Sequence, residues 1–514
     1  MRTVAKRYGD NPVAIKPNHC GLDSLGYAPY TVCFPPADLV LLFMGQIFST
    51  LRAPWAALWR PLVVLALYAA YLPLSGYSPG QFRFDAAEYW ELSLKFTQQG
   101  HFALLAFDEP LRGYLGPLLI LPARLLCHVT GWSMLAGARV LGAGWAALLF
   151  GVAIPQLWAQ VARRPLSAVR WGVMVGLGFI FWRDYFNFTL SDMPALTLLL
   201  LGLAALGRRG WAWAGVAGLL LAAAVNIRPI YVASVPGGLW LLSAMSLPAG
   251  QQWRRAAGLV GGAALVLLPQ WLINQRHFQQ HTPLVLAGLP GSRPLYLKQL
   301  AWGTRFQRYE SSLIPESPRS LVYADPAGQL VLSESPGRGF VSYGQYLEFV
   351  FRQPGAVGLR YLRHLFNGLD IRYPSPYPTR LHPPGQAALR LLNYALLGLG
   401  ASLGAAALWR AYRRKSADAA PSNAQAAAVL VALLLPCLLV LPTLMECRFL
   451  LPLHLLMLTG IAACWRPANW WRGLGSPFRR VVVAGVAAGW LWGCWQVSED
   501  TVRQLRPPSE APQE

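Results

Sequence analysis

The sequence predicts an all-α polytopic membrane protein, a bundle of about eleven transmembrane helices. Two observations predict it. Apolar runs close to the ~20 residues that a membrane span needs recur along the chain. Only 13% of residues are charged, about half the share of a soluble domain. A third observation orients the runs. The net charge of +22 would suggest nucleic acid in a soluble chain, but the arginines sit in short clusters between apolar runs, the pattern of cytoplasmic loops. Membrane lipids are therefore the expected partner of that charge, and no nucleic acid is expected. The seven cysteines are scattered, odd in number and never in a C-x-x-C pair, which argues against a disulfide framework or a zinc site.

In chain order, residues 1–56 combine a polar stretch, Met1–Tyr30, with a short apolar one, Asp38–Leu51. No signal-peptide order of charged, apolar and small-residue regions appears. The segment reads as cytoplasmic, with a start assigned too far upstream as the alternative. Pro61–Gly76 is the first span. Leu115–Val129 is apolar but short and holds Pro117, Pro122 and Arg124, whereas Leu135–Trp158 is full-length and ends at Arg163 and Arg164. Placing the N-terminus and the clusters at Arg163–Arg164, Arg208–Arg209, Arg254–Arg255, Arg410–Lys415 and Arg466–Arg480 in the cytoplasm requires an even number of crossings between neighbours. Three apolar candidates precede Arg163, so Leu115–Val129 is expected to lie along the interface or re-enter. The competing solution makes Asp38–Leu51 a span and moves the N-terminus outside.

Ser167–Arg183, Met193–Leu206, Trp211–Val225, Ile230–Met245 and Ala256–Ile273 then alternate across the membrane, completing an N-terminal half over 57–273. Residues 274–385 mix Pro, Gly, Tyr and short apolar runs, which reads as a small external domain and not a linker. Within it, 344–350 reads as the start of a short helix. Ala387–Trp409, Val429–Leu444, Phe449–Cys464 and Val481–Trp495 make a C-terminal membrane part over 386–496, before a Pro-rich tail at 497–514.

Chemistry is expected where the scarce carboxylates gather. The stretch Phe82–Pro117, inside the first external loop (77–134), carries Asp85, Glu88, Glu91, Asp108 and Glu109, from a total of 22 acidic residues. Asp85 and Glu88 lie one helical turn apart, on one face, and either suits a base that takes a proton from an attacking hydroxyl. Asp-Ala-Ala-Glu equally matches a capping box, with Asp85 as the cap and Glu88 reaching back; the two roles are compatible. Glu109 and Arg112 are binding candidates from the same stretch. Arg183, Asp184 and Asp192 lie in the next external turn, and Arg228, Glu446 and Arg448 at later span ends on the same side. Each has a plainer reading. Ser191-Asp192-Met193-Pro194 is a helix start, and Arg183 with Asp184 is an interfacial anchor with its counter-charge. Arg228 and Arg448 either snorkel to head groups or offer guanidinium forks to a lipid phosphate. Glu446 and Arg448 are two apart, so a local turn is needed to aim both at one site. No P-loop, H-E-x-x-H, dinucleotide fingerprint or D-x-D motif occurs; no cofactor is expected and no metal is required.

Five short motifs carry a resemblance: Phe-Asp-Ala-Ala-Glu-Tyr (84–89), Gly-Tyr-Leu-Gly-Pro (113–117), Leu-Ser-Asp-Met-Pro (190–194), Ile-Arg-Pro (227–229) and Glu-Cys-Arg-Phe-Leu-Leu-Pro (446–452). In this order and on one side, they resemble the GT-C superfamily of membrane glycosyltransferases, in particular the bacterial relatives of protein O-mannosyltransferases and of the lipid A aminoarabinose transferase. The resemblance implies a GT-C-like bundle with non-crossing helices in its first external loop. It also implies a polyprenyl-phosphate sugar donor, a lipid, glycan or protein acceptor, and a site facing the periplasm from the bacterial inner membrane. A catalytic Asp in the first loop carries over to Asp85. Glu88 matches a second acid loosely, because family members often place the two closer together, and Arg228, Glu446 and Arg448 match donor-pocket positions. The alternatives are a lipid or polysaccharide flippase, which calls for paired charges near the bilayer midplane, and a non-catalytic partner in envelope-polysaccharide assembly.

Overall fold

The computed structural model describes residues 55–98, 101–245, 247–288, 291–315, 320–333, 339–413, 421–466 and 475–506. Nearly all of the segment drawn over 1–56, including 38–51, lies outside them. Helices α1 (Trp55–Tyr71), α2 (Phe84–Leu92), α3 (Leu115–Thr130), α4 (Met134–Ala162) and α5 (Ala168–Trp182) come first. They are followed by α6 (Asp192–Leu206), α7 (Trp211–Ile227), α8 (Val235–Ser243) and α9 (Ala249–Phe278). The 274–385 region holds α10 (Leu295–Arg305), α11 (Pro326–Ser333), α12 (Tyr343–Arg352) and α13 (Pro354–Leu369). The chain closes with α14 (Gln386–Arg413), α15 (Pro421–Val440), α16 (Leu451–Cys464) and α17 (Pro477–Val502). Among the described residues, six segments are long and apolar enough to cross a membrane: α4, α9, 386–407, 423–440, 447–464 and α17. The helices α1, α3, α6 and α7 and the segment 229–243 are apolar but shorter.

Local chemistry sets the boundaries. Gly131 ends α3 in the left-handed region (φ +70°), and the Ser133 hydroxyl accepts the Ala136 amide to start α4. That C-terminal glycine followed by an N-cap serine folds α3 back onto α4 within a few residues. Serine caps also open α5 (Ser167), α12 (Ser342) and α17 (Ser476). Helix α12 covers the short helix expected at 344–350. The helices α7 and α9 approach closely, along Gly215 and Gly218 on one and Gly258 and Gly262 on the other. A Cβ on Gly262 would overlap the Gly215 carbonyl oxygen, and one on Gly218 the Leu259 carbonyl oxygen. Small residues are what let backbones of apolar helices touch.

Helix dominates the described residues, as an all-α membrane protein requires, and short strands accompany it: β3 (Phe306–Ser311) pairs antiparallel with β4 (Ser320–Ala324), with a bulge at Phe306/Arg308, and β1 (Thr97–Gln98) pairs antiparallel with β2 (His101–Phe102). Part of 497–514 joins these elements. α17 continues to Val502, and β5 (Leu505–Arg506) adds a third strand to β4. Both elements escape hydrophobicity: β5 is two residues long, and its partner lies far back in the chain. A buried hub locks this sheet to the last helices. Asp370 accepts from Ser498 (2.6 Å), Tyr394 (3.0 Å) and Arg308 (3.2 Å), and Arg308 also pairs with Glu310. From β3, the Tyr309 amide donates to the Met445 carbonyl at 2.9 Å, which sets the sheet against the chain entering α16.

The α7–α9 seam predicts a paired outcome. Gly262→Leu drives a side chain into backbone that cannot yield, at a cost of about 3 kcal/mol or more. Gly261→Leu points into open space and leaves stability near wild type. Thermal unfolding of the two purified variants checks this; equal melting would mean the seam is not closely packed.

Candidate active site

Asp85 is the second residue of α2, and the helix starts in an unusual way. Phe84 sits at φ +57°, a left-handed conformation disfavoured for a bulky L-residue, with its ring tilted against Tyr377 (centroids 5.5 Å apart). The N-cap position falls on Arg83, and no side chain caps the helix. The capping-box expectation is thereby overturned. A guanidinium is a stronger partner for a carboxylate than a neutral amide, and Asp85 has two of them nearby. Its Oδ2 accepts from Arg448 Nη2 at 2.9 Å, and its Oδ1 lies 3.6 Å from Arg112 Nη2. Glu88 accepts from Nε and Nη2 of Arg112, each at 3.3 Å. The Ala86 amide, one of the orphan donors of a helix start, donates to the Tyr377 hydroxyl at 3.3 Å.

The local turn that Glu446 and Arg448 require is a 3-10 turn, Cys447–Leu450, at the head of α16. Arg448 donates Nε to Glu446 Oε2 at 2.6 Å and Nη2 to Oε1 at 3.2 Å, while Nη1 lies 3.7 Å from Asp192 Oδ2. Asp192 opens α6, as the helix-start reading expects, although Ser191 makes no side-chain cap. It also forms an ion pair with Arg228, the residue that ends α7 ahead of Pro229. Both arginines lie over the Phe449 ring, at 5.2 Å and 5.9 Å. The Gly-Tyr-Leu-Gly-Pro motif docks on the same place: the Leu115 amide donates to Asn226 Oδ1 at 2.9 Å, and Asn226 donates to Gln270 on α9 at 2.8 Å.

Asp85, Glu88, Arg112, Asp192, Arg228, Glu446 and Arg448 therefore meet in one cluster. Their exposure differs. The Asp192 side chain is only 2% exposed and that of Glu446 15%, so Asp85 (28%) and Glu88 (43%) are the carboxylates that an incoming molecule can reach. Burial opposes the charge on Asp85, but Arg448 and then Arg112 outweigh it and hold the carboxyl below its usual range. For Glu446, burial pushes the carboxyl up by more than Arg448 offsets. Two acids on one arginine are thus driven apart, an arrangement that separates acid and base roles. Beside the cluster a small apolar cavity of about 30 Å³ lies between α3, α4 and the approach to α6, lined by Tyr89, Leu119, Leu141, Trp145, Ser191 and Ile227 among others.

Three candidates lie elsewhere. Glu109 accepts the Leu111 amide at 3.1 Å and faces Lys95 at 3.5 Å, and Asp108 pairs with the same lysine. Asp184 accepts from the Tyr71 hydroxyl at 2.6 Å, Arg183 donates to that hydroxyl at 3.0 Å, and the Asp184 amide donates to the Pro374 carbonyl. Burial raises the Asp184 carboxyl despite the Tyr71 hydrogen bond. This pair ties α1, the turn after α5 and the 371–378 loop together. Sequence reasoning missed Tyr377, which sits in a Pro-rich loop with no local signal, and Phe449, although its adjacency to Arg448 was visible. Among the described residues, no group of three or more His, Cys, Asp or Glu side chains is placed to hold a metal ion.

Arg448 is the keystone of the cluster, and its removal has a predictable cost. Arg448→Met leaves Asp85 and Glu446 without their main cation, which costs about 3–5 kcal/mol for a buried pair. Adding Asp85→Asn and Glu446→Gln to that variant recovers part of the loss. Thermal melts of the single and triple variants test this, and a single variant as stable as wild type would refute it. No protein-family model matches this chain, and no curated protein matches it.

Proposed function

We propose that the chain is a GT-C-type inverting glycosyltransferase. It takes a sugar from a polyprenyl-phosphate donor at the periplasmic face of a bacterial inner membrane and passes it to a lipid, glycan or protein acceptor. The observation that carries this reading is convergence. Asp85, Asp192, Arg228, Glu446 and Arg448 come from four remote segments and four of the five resemblance motifs, and they meet in one ion-paired cluster. The fifth motif packs against Asn226, beside Arg228.

In this mechanism the acceptor hydroxyl or amine enters beside Asp85, a partly exposed carboxylate that two arginines hold in place. As its oxygen or nitrogen bonds to the anomeric carbon, its proton passes to Asp85. The bond from that carbon to the phosphate oxygen breaks, and the lipid phosphate leaves against Arg228 and Arg448, whose forked donors suit it. Attack opposite the leaving phosphate inverts the anomeric centre. Charge on the leaving group is met by guanidiniums, so a divalent metal is not required. The ion pairs of the cluster lie at helix ends, and Arg390–Glu499 joins the second turn of α14 to the last turn of α17; a flippase calls for pairs at mid-span.

The membrane arrangement in this reading has about eleven spans, with α2 and α3 lying along or re-entering the outer face. Pairing of β5 with β4 supports the parity. It sets the end of α17 on the same side as the region between α9 and α14, as an external 274–385 requires.

Asp85→Asn lowers turnover of a polyprenyl-phosphate sugar in proteoliposomes by about 10²–10⁴-fold, the usual contribution of a general base. Undiminished turnover by a folded variant would exclude Asp85 as the base. The pH profile gives a separate check. A carboxyl held low stays ionised as pH falls past about 4, so the rate is level to that point. Arg448→Gln removes the larger favourable charge and leaves burial opposed chiefly by Arg112, so the Asp85 carboxyl rises and the acid limb moves to higher pH. Both profiles belong in a Glu446→Gln background, because Glu446 is itself pushed upward. A limb that stays in place would mean Asp85 is not the titrating group.

A further inference from the structure

The external region exposes an apolar surface that the proposed chemistry does not use. Along α12, Tyr343, Leu347 and Phe351 recur every fourth residue and face outward, with Leu347 51% and Phe351 78% exposed. Spacing of four places them in one stripe. A neighbouring face packs inward through Tyr346, which contacts Phe340. The next helix repeats the pattern. On α13, Val357, Arg360, His364 and Asn367 are buried, while Leu359 and Leu362 (64%) are exposed. Large apolar side chains grouped this way on a surface mark a contact face.

The neighbours of the stripe say what it contacts. Tyr343 lies 6.4 Å from the Tyr296 ring, and the Tyr296 hydroxyl donates to the Leu439 carbonyl at the end of α15, one of the helices long and apolar enough to cross a membrane. Leu438 and Leu439 there are themselves exposed. The apolar surface at the end of that helix therefore adjoins α12 through Tyr296. Arginines border the stripe. Arg352 is paired with Glu348 one turn back, and Arg363 follows Leu362. Apolar stripes edged by long basic side chains suit a lipid interface, where the stems bury and the guanidiniums reach phosphates.

We propose that α12 and α13 lie in the outer interface of the bilayer, with Leu347, Phe351, Leu359 and Leu362 among the acyl chains. The partner of this face is phospholipid. The inference rests on the membrane-spanning reading but not on the glycosyl-transfer reading. Docking there holds the small sheet, and through Tyr309 and Met445 the cluster at Arg448, at a fixed height above the lipid.

Photo-crosslinking in native membranes tests it on the full chain. p-Benzoyl-phenylalanine replaces Leu347, Phe351 or Leu362 in separate variants, with Leu265→p-benzoyl-phenylalanine, an exposed position in the middle of α9, as the reference. Adduct masses are read on the purified protein after irradiation. Phospholipid adducts at the three sites, comparable in yield to position 265, are expected. Adducts at 265 with none at the three sites would overturn the docking while leaving the membrane reading intact. Absence at 265 as well would overturn both, and crosslinks from the three sites to a protein would assign this face to a protein partner instead.

Discussion

A guanidinium enclosed by carboxylates is the constraint on which the rest of this structure turns. Taking the Arg448 charge out of water costs several kcal/mol, and no single partner repays it. Glu446, two residues away, gives a bidentate contact, but Asp85 is 363 residues distant in sequence and Asp192 begins a different helix. Satisfying Arg448 therefore requires α2, α6 and the head of α16 to arrive together. Arg228 adds the end of α7 through the same Asp192. The cost of leaving any of these charges unpaired acts against other ways of packing apolar helices, whose greasy faces discriminate poorly among neighbours.

A second shell fixes the height of the cluster. The Asp370 hub joins β3 to α14 and α17, β3 passes its Tyr309 amide to Met445, and Met445 adjoins Glu446. From the same hub the chain runs through residues 371–378, which brings Pro374 to Asp184 and Tyr377 to Ala86. The two halves of the molecule thus meet at the site through backbone carbonyls and hydroxyls as well as charges. Asp184 and Arg183 belong to this framework. Their place in the next turn of the sequence does not encode distance from Asp85, and Asp184 is itself buried.

What was legible in the sequence follows from what hydrophobicity and spacing can encode. Helix positions read well, because a run of apolar residues has no other stable form in lipid. Their ends read less well: α9 begins at Ala249, ahead of Arg254 and Arg255, since a helix continues past the point where its residues become polar. The charged members of the cluster were legible as residues at span ends, and their motifs as a set. The partner of each was not, because a pair such as Asp85 and Arg448 leaves no periodic trace. The capping-box reading of Asp85 failed for that reason: it weighed only neighbours in sequence. Tyr377 had no signal at all.

The cluster holds four carboxyl groups, on Asp85, Glu88, Asp192 and Glu446, and three guanidiniums, on Arg112, Arg228 and Arg448. As it stands it has no surplus positive charge to offer an anion. A phosphate therefore binds only if one carboxyl yields, by swinging away or by taking a proton. Asp192 is enclosed and shared by two arginines, and Asp85 is held ionised by two. Glu446 is the acid that burial already pushes toward its neutral form. Protonated, it would free part of the Arg448 fork while leaving Asp85 charged. In the proposed reading, a site that binds an anion and keeps a base ionised beside it needs its acids to differ in this way, and the difference comes from burial and partner count, not from residue type.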